Sequence, residues 1–592
     1  MKKFFALICI ALLLVGCGPQ GNDKENQMPM KLYVVDSAEW NLAQPEIYKK
    51  CHLGRYYEAQ DGVFYLVMSN VDAAEGATCY RWGYDVNTGE DWVEEISETD
   101  FEATKRRRED VKETGYDTYT DYGGYRYFIR GIQISCMDLT TEKTQVVFDI
   151  IQNAVGYGVY DLAVNDQGML CLLSGNGEKN NIYILSAEPP EITGDPTRLV
   201  SLTSDDLLLP QLSVEYGRTH PENPVIYEKE EDTENLRTKV FAELAAGHGP
   251  DMLWVSREDM YVLAQKGLLQ DMTELIDTDT LGQIFPGILQ AGTVDGKMLG
   301  LVPQTSVFYM VTTDNIWKKE SWNPQQVVDL IGSHSNLKGV FGYGLFTSRN
   351  MNEEELLTEL ILRDINNSVF INWEERKCSF YSEEFIRTLE IVRSYGKEES
   401  YSDEYFLDFL ENGEFLAWRG AISGISNYAE IRNLLGNKGH FVGLPTSEAY
   451  SGFWVCNHFL VINKNSQHMD TIKDFLKELL SEENQGRAML ISVREDAIRS
   501  NMEPITINEY GEKTDVYVNN DGLIMEVEVK PDGTSYLEEY IDFLKKCGPI
   551  PYSDETIQEI ILEEAEMFFS GVKTAEQTAE VIQNRVQLYL DM

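Results

Sequence analysis

Hydrophobic residues over positions 223–276 follow the pattern of alternating strands and helices. Two short apolar runs, Val225–Tyr227 and Met252–Val255, are typical of buried strands. Between them, apolar residues recur at every fourth position, as along one face of a helix: Leu236, Val240 and Leu244. Ser256 stands three residues before Asp259, which is the spacing of a helix cap, so a second helix should follow. This alternation predicts an α/β unit of an open, mostly parallel sheet, and such sheets bind ligands beyond the carboxyl ends of their strands.

The same mixture of patterns continues to the end of the chain. Further strands are predicted at residues 198–202, 297–302, 307–312, 415–422, 441–443 and 459–463. Further helices are predicted at residues 208–216, 324–331, 353–365, 382–395 and 471–480, and two more close the chain. Asp232 and Gly247 are the expected start and end of the helix at 236–244. Residues 515–530 alternate like a hairpin, because Asn519–Gly522 has the composition of its turn.

Residues 31–195 are rich in predicted strands. Their apolar and aromatic runs are separated by polar turns, and regularly spaced hairpins of this kind are typical of propeller blades. We therefore expect a β-rich, partly propeller-like domain of three or four blades, at about 40–45 residues each. The charged stretch Lys105–Arg108 is predicted to be an exposed loop. The proline-containing stretch Glu188–Pro196 is predicted to be the linker to the α/β part.

The amino terminus has the pattern of an export signal. Lys2 and Lys3 precede the apolar run Phe4–Val15, which is too short to span a membrane as a stable helix. The sequence Leu-Val-Gly-Cys that ends at Cys17 resembles the lipobox of bacterial lipoproteins. That resemblance implies a signal peptide at residues 1–16, lipidation of Cys17 and a polar tether at residues 17–30. The alternative is a plain signal peptide with a chance cysteine.

The overall charge narrows the possible functions. The chain has 592 residues and a formal net charge of -48, so a phosphate backbone would be repelled and nucleic-acid binding is not expected. A hydrophobic content of 43% is ordinary for a globular protein.

Cysteines and catalytic motifs give little support to an enzyme. Seven cysteines remain after Cys9 and Cys17, and none has the spacing of a zinc site. Two alternatives stay open for these cysteines: isolated buried thiols, or a disulfide among the first four of the seven. Gly-x-Ser-x-Gly and phosphate-binding loop motifs are absent, so no catalysis, cofactor or metal is expected.

Residues 198–592 resemble the family 1 extracellular solute-binding proteins of bacterial ABC importers. The resemblance is carried by THPENPVIY, LRTKVFAELAAGHGPDMLWV, QKGLLQDMTELI, GHFVGLPT, FLVINKNSQHMDTIKDFLKELLSEENQ and AEMFFSGVKTAEQTAEVIQNRVQLYL. It implies an α/β, two-lobe periplasmic-binding-protein-like (type II) fold whose lobes close on a small ligand, most often an oligosaccharide. It also implies ABC permease partners, a monomer and a lipid-anchored position on the outer face of the bacterial cytoplasmic membrane.

Aromatic and polar residues at predicted strand ends are the candidate ligand contacts, because sugars present apolar faces to aromatic rings and hydroxyls to polar groups. Trp254 and Trp418 are placed at or after strand ends, and Asn427, Tyr428 and Trp454 in loops. The full candidate set is Trp254, Ser256, Arg257, Gln304, Tyr309, Trp418, Asn427 and Trp454. Arg257 or Arg419 could instead bind a carboxylate, so a peptide or another polar solute stays open.

The leading hypothesis is a membrane-tethered lipoprotein that delivers a carbohydrate to an ABC permease. The alternative is a cell-surface sensor or adhesion protein in which the β-rich domain does the binding. A glycoside hydrolase is a distant third.

Overall fold

The computed structural model describes residues 31–592 with short gaps. The gaps are residues 49–50, 52, 73–75, 114, 151–152, 154, 156–158, 176–178, 189–193, 204–207, 230–232, 345–348, 402–405, 489, 508–512 and 519–523. The chain divides into two compact units, Met1–Pro190 and Glu191–Met592. Cys17, the helix cap predicted at Asp232 and the turn predicted at Asn519–Gly522 lie outside the described residues.

The first unit consists mainly of antiparallel strands. In chain order they are β1 (Tyr33–Asn41), β2 (Leu53–Gln60), β3 (Val63–Asp72), β4 (Gly76–Asp85), β5 (Asp91–Ile96), β6 (Thr118–Tyr122), β7 (Tyr125–Arg130), β8 (Gln133–Asp138), β9 (Thr144–Asp149), β10 (Val159–Val164), β11 (Leu170–Gly175) and β12 (Lys179–Ser186). They form three four-stranded sheets, of which two are the meanders β2–β5 and β6–β9. In the third sheet, β1 pairs with β12, which continues through β11 to β10. These three sheets agree with the prediction that residues 31–195 are rich in strands. The predicted propeller arrangement of the sheets stays a prediction.

Two helices also lie in the first unit, α1 (Pro45–Tyr48) and α2 (Glu98–Glu113). The prediction of an exposed loop at Lys105–Arg108 is wrong, because these residues belong to α2. The helix buries Phe101 and Thr104. Its arginines are bound to the neighbouring strands: Arg107 pairs with Glu58 at 2.7 Å and Arg108 with Asp161 at 3.4 Å. A run of charges with few apolar neighbours therefore concealed a helix that packs through Phe101 and Thr104 and also forms ion pairs with neighbouring strands.

The second unit mixes helices and strands. Its strands are β13 (Thr197–Ser201), β14 (Val225–Lys229), β15 (Met252–Ser256), β16 (Thr293–Val294), β17 (Lys297–Met298), β18 (Gln304–Thr305), β19 (Val307–Thr313), β20 (Phe341–Tyr343), β21 (Arg349–Asn350), β22 (Ile371–Asn372), β23 (Lys377–Cys378), β24 (Ala417–Ile422), β25 (Gly439–Val442), β26 (Phe453–Trp454), β27 (His458–Ile462), β28 (Ile491–Ser492), β29 (Met502–Ile507), β30 (Lys513–Val518), β31 (Ile524–Glu528) and β32 (Gly548–Pro549). Its helices are α3 (Leu208–Thr219), α4 (Thr233–Ala245), α5 (Arg257–Gln265), α6 (Thr278–Gln283), α7 (Pro286–Ala291), α8 (Pro324–Ser333), α9 (Glu353–Leu360), α10 (Glu383–Tyr395), α11 (Phe406–Glu411), α12 (Ile425–Leu435), α13 (Met469–Leu479), α14 (Glu482–Gln485), α15 (Glu495–Ser500), α16 (Leu537–Lys545), α17 (Glu555–Phe569) and α18 (Ala575–Asp591), with 3-10 turns at Met272–Glu274 and Leu362–Asn367.

Two sheets organise this unit. The β13 sheet has the order β14-β13-β15-β27; its first three strands are parallel and β27 is antiparallel. The β19 sheet has seven strands in the order β21-β20-β24-β19-β26-β32, with β25 also paired to β19. The strands and helices predicted over residues 223–276 are confirmed, since β14, α4, β15 and α5 follow one another as expected. The strand predicted at residues 297–302 is wrong in its extent, because only Lys297–Met298 is a strand there, in a hairpin with β16.

Three chain segments between the two sheets are hydrogen-bonded to one another. Gln304 pairs with Ser492 in the β18–β28 ladder. The hydroxyl of Thr305 donates to the carbonyl oxygen of Val455 at 2.7 Å. A single apolar core continues from one sheet through this region to the other. These segments therefore connect the two sheets through both hydrogen bonds and apolar packing.

The seven cysteines from Cys51 to Cys547 are all described and all free, so the isolated-thiol alternative holds and the disulfide does not. Six of them are buried. In the described residues we find no helix that is long and apolar enough to cross a membrane.

Candidate functional site

The tryptophans predicted as ligand contacts lie in the interior of the second unit. Trp254 is a central residue of β15 and is 4% exposed, and its ring lies 6.0 Å from the ring of His458. Trp418 lies inside β24, fully buried, and its indole N–H donates to the carbonyl oxygen of Gly344 at 2.7 Å. The expectation that Trp418 follows its strand is therefore wrong. Central strands covered on both faces bury their large side chains, which explains both positions.

Trp454 and Tyr309 occupy the centre of the β19 sheet. Trp454 lies in β26 and not in a loop as predicted, and its ring packs 5.3 Å from that of Phe285. Tyr309 lies in β19, edge-on to Phe441 at 5.0 Å. The indole N–H of Trp454 and the hydroxyl of Tyr309 are buried and have no hydrogen-bond partner among the described residues. Burial raises the pKa of the Tyr309 hydroxyl.

Gln304 and Asn427 serve the local structure in which they stand. Gln304 is buried, and its side-chain oxygen accepts a hydrogen bond from the backbone N–H of Leu490 at 3.0 Å. Asn427 belongs to α12, together with Tyr428, so the predicted loop is wrong. Its side-chain oxygen accepts a hydrogen bond from the hydroxyl of Ser423 at 2.6 Å, close to the start of the helix.

Ser256 and Arg257 lie where the first sheet approaches the second. The Ser256 hydroxyl caps α5 by accepting a hydrogen bond from the backbone N–H of Asp259 at 3.1 Å, as its spacing predicted. Arg257, the first residue of α5, donates from Nη1 to the carbonyl oxygen of Ile550 at 2.6 Å. Ile550 directly follows β32. The carboxyl ends of β15 and β32, one from each sheet, therefore meet at this contact.

Aromatic and acidic side chains extend the same contact. The ring of Tyr261 lies 4.5 Å from the ring of Tyr552. One turn nearer the start of α5, Glu258 shares a hydrogen bond with Glu555. That hydrogen bond, together with burial, raises the pKa of Glu555 to about 7. Two carboxyl groups this close disfavour ionisation of both, so Glu555 takes up its proton at a higher pH than an ordinary glutamate.

A second charged group lies on the side of the β19 sheet. Glu359 is buried and accepts hydrogen bonds from Arg363 Nε at 2.9 Å and Nη2 at 2.5 Å. Arg419 Nε lies 3.2 Å from the same carboxylate. Burial opposes ionisation, but the two guanidinium groups keep the pKa of Glu359 below its ordinary value. The ring of Phe308 lies 4.4 Å from the Arg419 guanidinium and 6.0 Å from that of Arg363.

Both groups border one short segment, residues 550–555. The hydroxyl of Ser553 donates to the carbonyl oxygen of Arg363 at 2.6 Å, only three residues after Ile550. Three residues span at most about 10 Å of chain. Arg257 and Tyr261 thus contact this segment directly, and the Glu359 group is connected to it through Arg363. We call these residues together the junction site.

Sequence reasoning named Arg257 and Arg419 but missed Phe308, Glu359, Arg363, Tyr552 and Glu555. These residues are far apart in the chain, and no local spacing marks them as neighbours. Arginines next to predicted strand ends were the one signal in the sequence that pointed to this site.

Two cavities of the described residues lie away from the junction site. One of about 290 Å³ in the first unit is lined by Tyr122, Tyr125 and Tyr127 among others, and one of about 360 Å³ lies beside Asp277 and α13.

Comparison with known proteins gives one family. Residues 201–486 match the model of the bacterial extracellular solute-binding protein family. Solved structures similar to the chain include the sugar-binding protein MalE from Xanthomonas citri, at 13% identity and a TM-score of 0.41. The match covers 67% of this chain and 98% of the MalE chain. A family 1 extracellular solute-binding protein from Alicyclobacillus acidocaldarius has 13% identity and a TM-score of 0.40. That match covers 67% of this chain and 99% of the other chain. No curated protein matches the chain.

Proposed function

Because residues 201–486 belong to the bacterial extracellular solute-binding protein family, we propose that this chain is the substrate-binding component of an ABC importer. The β13 sheet and the β19 sheet are the cores of two lobes. An oligosaccharide binds at the junction site between them, and the closed protein docks on the permease subunits. The protein acts as a monomer, tethered to the outer face of the cytoplasmic membrane by lipid on Cys17.

The observation that carries the proposal is the meeting of β15 and β32 at the contact between Arg257 and Ile550. Open α/β sheets bind ligands beyond the carboxyl ends of their strands, and here two such ends come from different sheets. Closure of one sheet on the other would enclose whatever lies between them. The hydrogen-bonded segments near Thr305 and Val455 supply the hinge.

The side chains at the junction site suit a sugar. Tyr261 and Tyr552 offer aromatic rings for the apolar faces of sugar rings. Guanidinium and carboxyl groups beside them can hydrogen-bond to hydroxyls.

A ligand screen on the purified full-length protein in detergent tests the proposal. Neutral and acidic oligosaccharides and short peptides are compared by thermal shift and then by titration calorimetry. A saccharide at a hundred times its Kd should stabilise the protein by about 2.7 kcal/mol. Stabilisation by peptides alone, or by no compound in any class, would contradict the proposal.

Two tyrosine variants locate the binding. Tyr261→Ala removes a ring of the junction site, and Tyr122→Ala removes a half-exposed ring from the cavity of the first unit. Loss of saccharide binding in Tyr261→Ala with retention in Tyr122→Ala supports the transporter function. The reverse result would assign binding to the first unit and favour the sensor or adhesion function.

The lipid anchor has a separate test in cells. Cys17→Ser should move the protein from the membrane fraction to the medium and abolish incorporation of labelled palmitate. Cys51→Ser is the matched control, since that thiol is buried within the first unit. An unchanged membrane fraction for Cys17→Ser would overturn the lipoprotein assignment.

A further inference from the structure

Two arginines of the junction site contact residues 550–553, and a third belongs to the Glu359 group, in a protein whose net charge is -48. Arg257 bonds to the carbonyl oxygen of Ile550, and the carbonyl oxygen of Arg363 accepts a hydrogen bond from Ser553. Arg419 shares the carboxylate of Glu359 with Arg363. Positive charge is therefore concentrated at one place in an otherwise acidic molecule.

Arg257 has no acidic partner in the part of the chain that the structure describes. Its Nε and Nη2 atoms are buried and make no hydrogen bond there, and only Nη1 has an acceptor. Burial lowers the pKa of this guanidinium, against a small opposing effect of Cys456, Tyr261 and Tyr552. A buried charge without a counter-charge is unfavourable for folding, and groups of this kind are concentrated at functional sites.

Arg419 is only partly compensated. It and Arg363 share the single buried carboxylate of Glu359, which leaves one positive charge in excess. Arg363 makes both of its strong hydrogen bonds to Glu359, whereas Arg419 Nε approaches the carboxylate without forming a hydrogen bond. Arg419 is the less satisfied of the two, and the face of Phe308 holds it in place.

We propose that the oligosaccharide is acidic, and that Arg257 and Arg419 each bind a carboxylate of its uronic acid residues. This inference rests on the proposed function, because it takes the junction site as the place where a saccharide binds. Opening of the lobes separates Arg257 from Ile550 and exposes its guanidinium. The ligand carboxylate then supplies the missing counter-charge, with paired N–H donors in the geometry that guanidinium and carboxylate groups share.

The acidic neighbours do not cancel this preference. The hydrogen bond to Glu258 and burial raise the pKa of Glu555 to about 7, so Glu555 carries less than its full charge near neutral pH. Glu355 is held by Arg349 at 2.6 Å, and Asp259 by Arg237. Glu355 and Asp259 are thus already paired with other arginines, and Arg257 and Arg419 remain for the ligand.

The test compares one sugar with and without its charge. Titration calorimetry of the full-length protein uses trigalacturonate, its methyl ester, a neutral galactose trimer and a tripeptide. The acid should bind at least about tenfold more tightly than its ester, since a charge-assisted hydrogen bond contributes a factor of this size. The affinity for the acid should fall with added salt and that for the ester should not.

Arginine variants connect this preference to the site. Arg257→Gln and Arg419→Gln should each weaken binding of the acid about tenfold or more and leave binding of the ester within about twofold. Arg257→Lys keeps the charge and should restore part of the affinity. Arg126→Gln, which breaks a pair with Asp121 in the first unit, is the control and should change neither affinity. Thermal unfolding checks that each variant is folded.

The outcomes separate this inference from the function on which it rests. If the neutral trimer and the ester bind as tightly as the acid, the ligand is not acidic, and the transporter function stands. If Arg257→Gln and Arg419→Gln weaken the acid and the ester equally, the arginines do not recognise the carboxylate. If the tripeptide alone binds, both the inference and the proposed function fail.

Discussion

The ring of Tyr261 in α5 lies 4.5 Å from the ring of Tyr552, which follows the last strand of the β19 sheet. The pair joins the two sheets of the second unit at the point where their strand ends meet. Neither ring belongs to the fully buried core, in contrast to Trp254, Trp418 and Trp454. Aromatic contact between the sheets is thus made by tyrosines that are only partly buried.

Replacement of Tyr552 by alanine tests this contact. We expect Tyr552→Ala to weaken saccharide binding about tenfold, because one aromatic stacking face is lost, and to leave the protein folded. Titration calorimetry gives the affinity. Tyr381→Ala is the matched control, since Tyr381 is an exposed tyrosine of the same unit. Equal affinities for Tyr552→Ala and the control would place the ligand elsewhere.

A second prediction concerns the packing inside the β19 sheet. Gly342 in β20 lies against the ring of Trp418, and a Cβ atom at this position would overlap that ring. Gly342→Ala should therefore lower the free energy of unfolding by about 1–3 kcal/mol, as overpacking of a core does. Urea unfolding followed by fluorescence measures this change.

Gly424→Ala is the control for Gly342→Ala. Gly424 has an extended backbone, and a Cβ atom there meets no neighbour within 4 Å. Because Gly424 is the N-cap of α12 and alanine caps a helix less well, we expect a loss below about 1 kcal/mol for this variant. A Gly342→Ala protein as stable as Gly424→Ala would mean that Trp418 has room to move.

Local signals in the sequence predicted the fold of the second unit better than its site. The strands and caps from Val225 to Gly267 depend on neighbours within a few residues, so a single sequence reveals them. Trp254 looked like a ligand contact because it stands near a strand end, but a strand between two others buries its large side chain. The junction site instead depends on the pairing of β26 with β32, which brings Tyr552 near Arg257 across about three hundred residues. No periodicity in the sequence records that pairing.

The buried carboxylate of Glu359 provides a third prediction. Glu359→Gln leaves Arg363 and Arg419 without their shared counter-charge, so we expect a loss of about 3–5 kcal/mol of stability. Calorimetric unfolding measures the change. Glu563→Gln, which breaks an exposed pair with Arg585, should cost less than about 1 kcal/mol.

The same variant bears on the acidic ligand. With Glu359 neutral, Arg419 and Arg363 are both available, so trigalacturonate should raise the unfolding temperature of Glu359→Gln more than that of the unmodified protein. An equal or smaller rise would show that the carboxylate does not bind next to Glu359.

The pair Glu258 and Glu555 makes the second unit sensitive to pH. The hydrogen bond to Glu258 and burial raise the pKa of Glu555 to about 7, above the value of about 4.3 in an unfolded chain. The folded protein thus holds the proton more tightly than the unfolded one. Its contribution to stability is present below about pH 4.3 and is lost as the pH rises through about 7.

Glu555→Gln removes this dependence. The unfolding temperature of the unmodified protein should fall between pH 5 and pH 8, and that of Glu555→Gln should fall less. The free-energy difference at pH 8 should stay below about 1 kcal/mol, because solvent screens a largely exposed group. Scanning calorimetry at both pH values measures it, with Glu566→Gln, an exposed residue of the same helix, as the control. Parallel slopes for Glu555→Gln and the unmodified protein would show that Glu258 and Glu555 do not share a proton across the junction site.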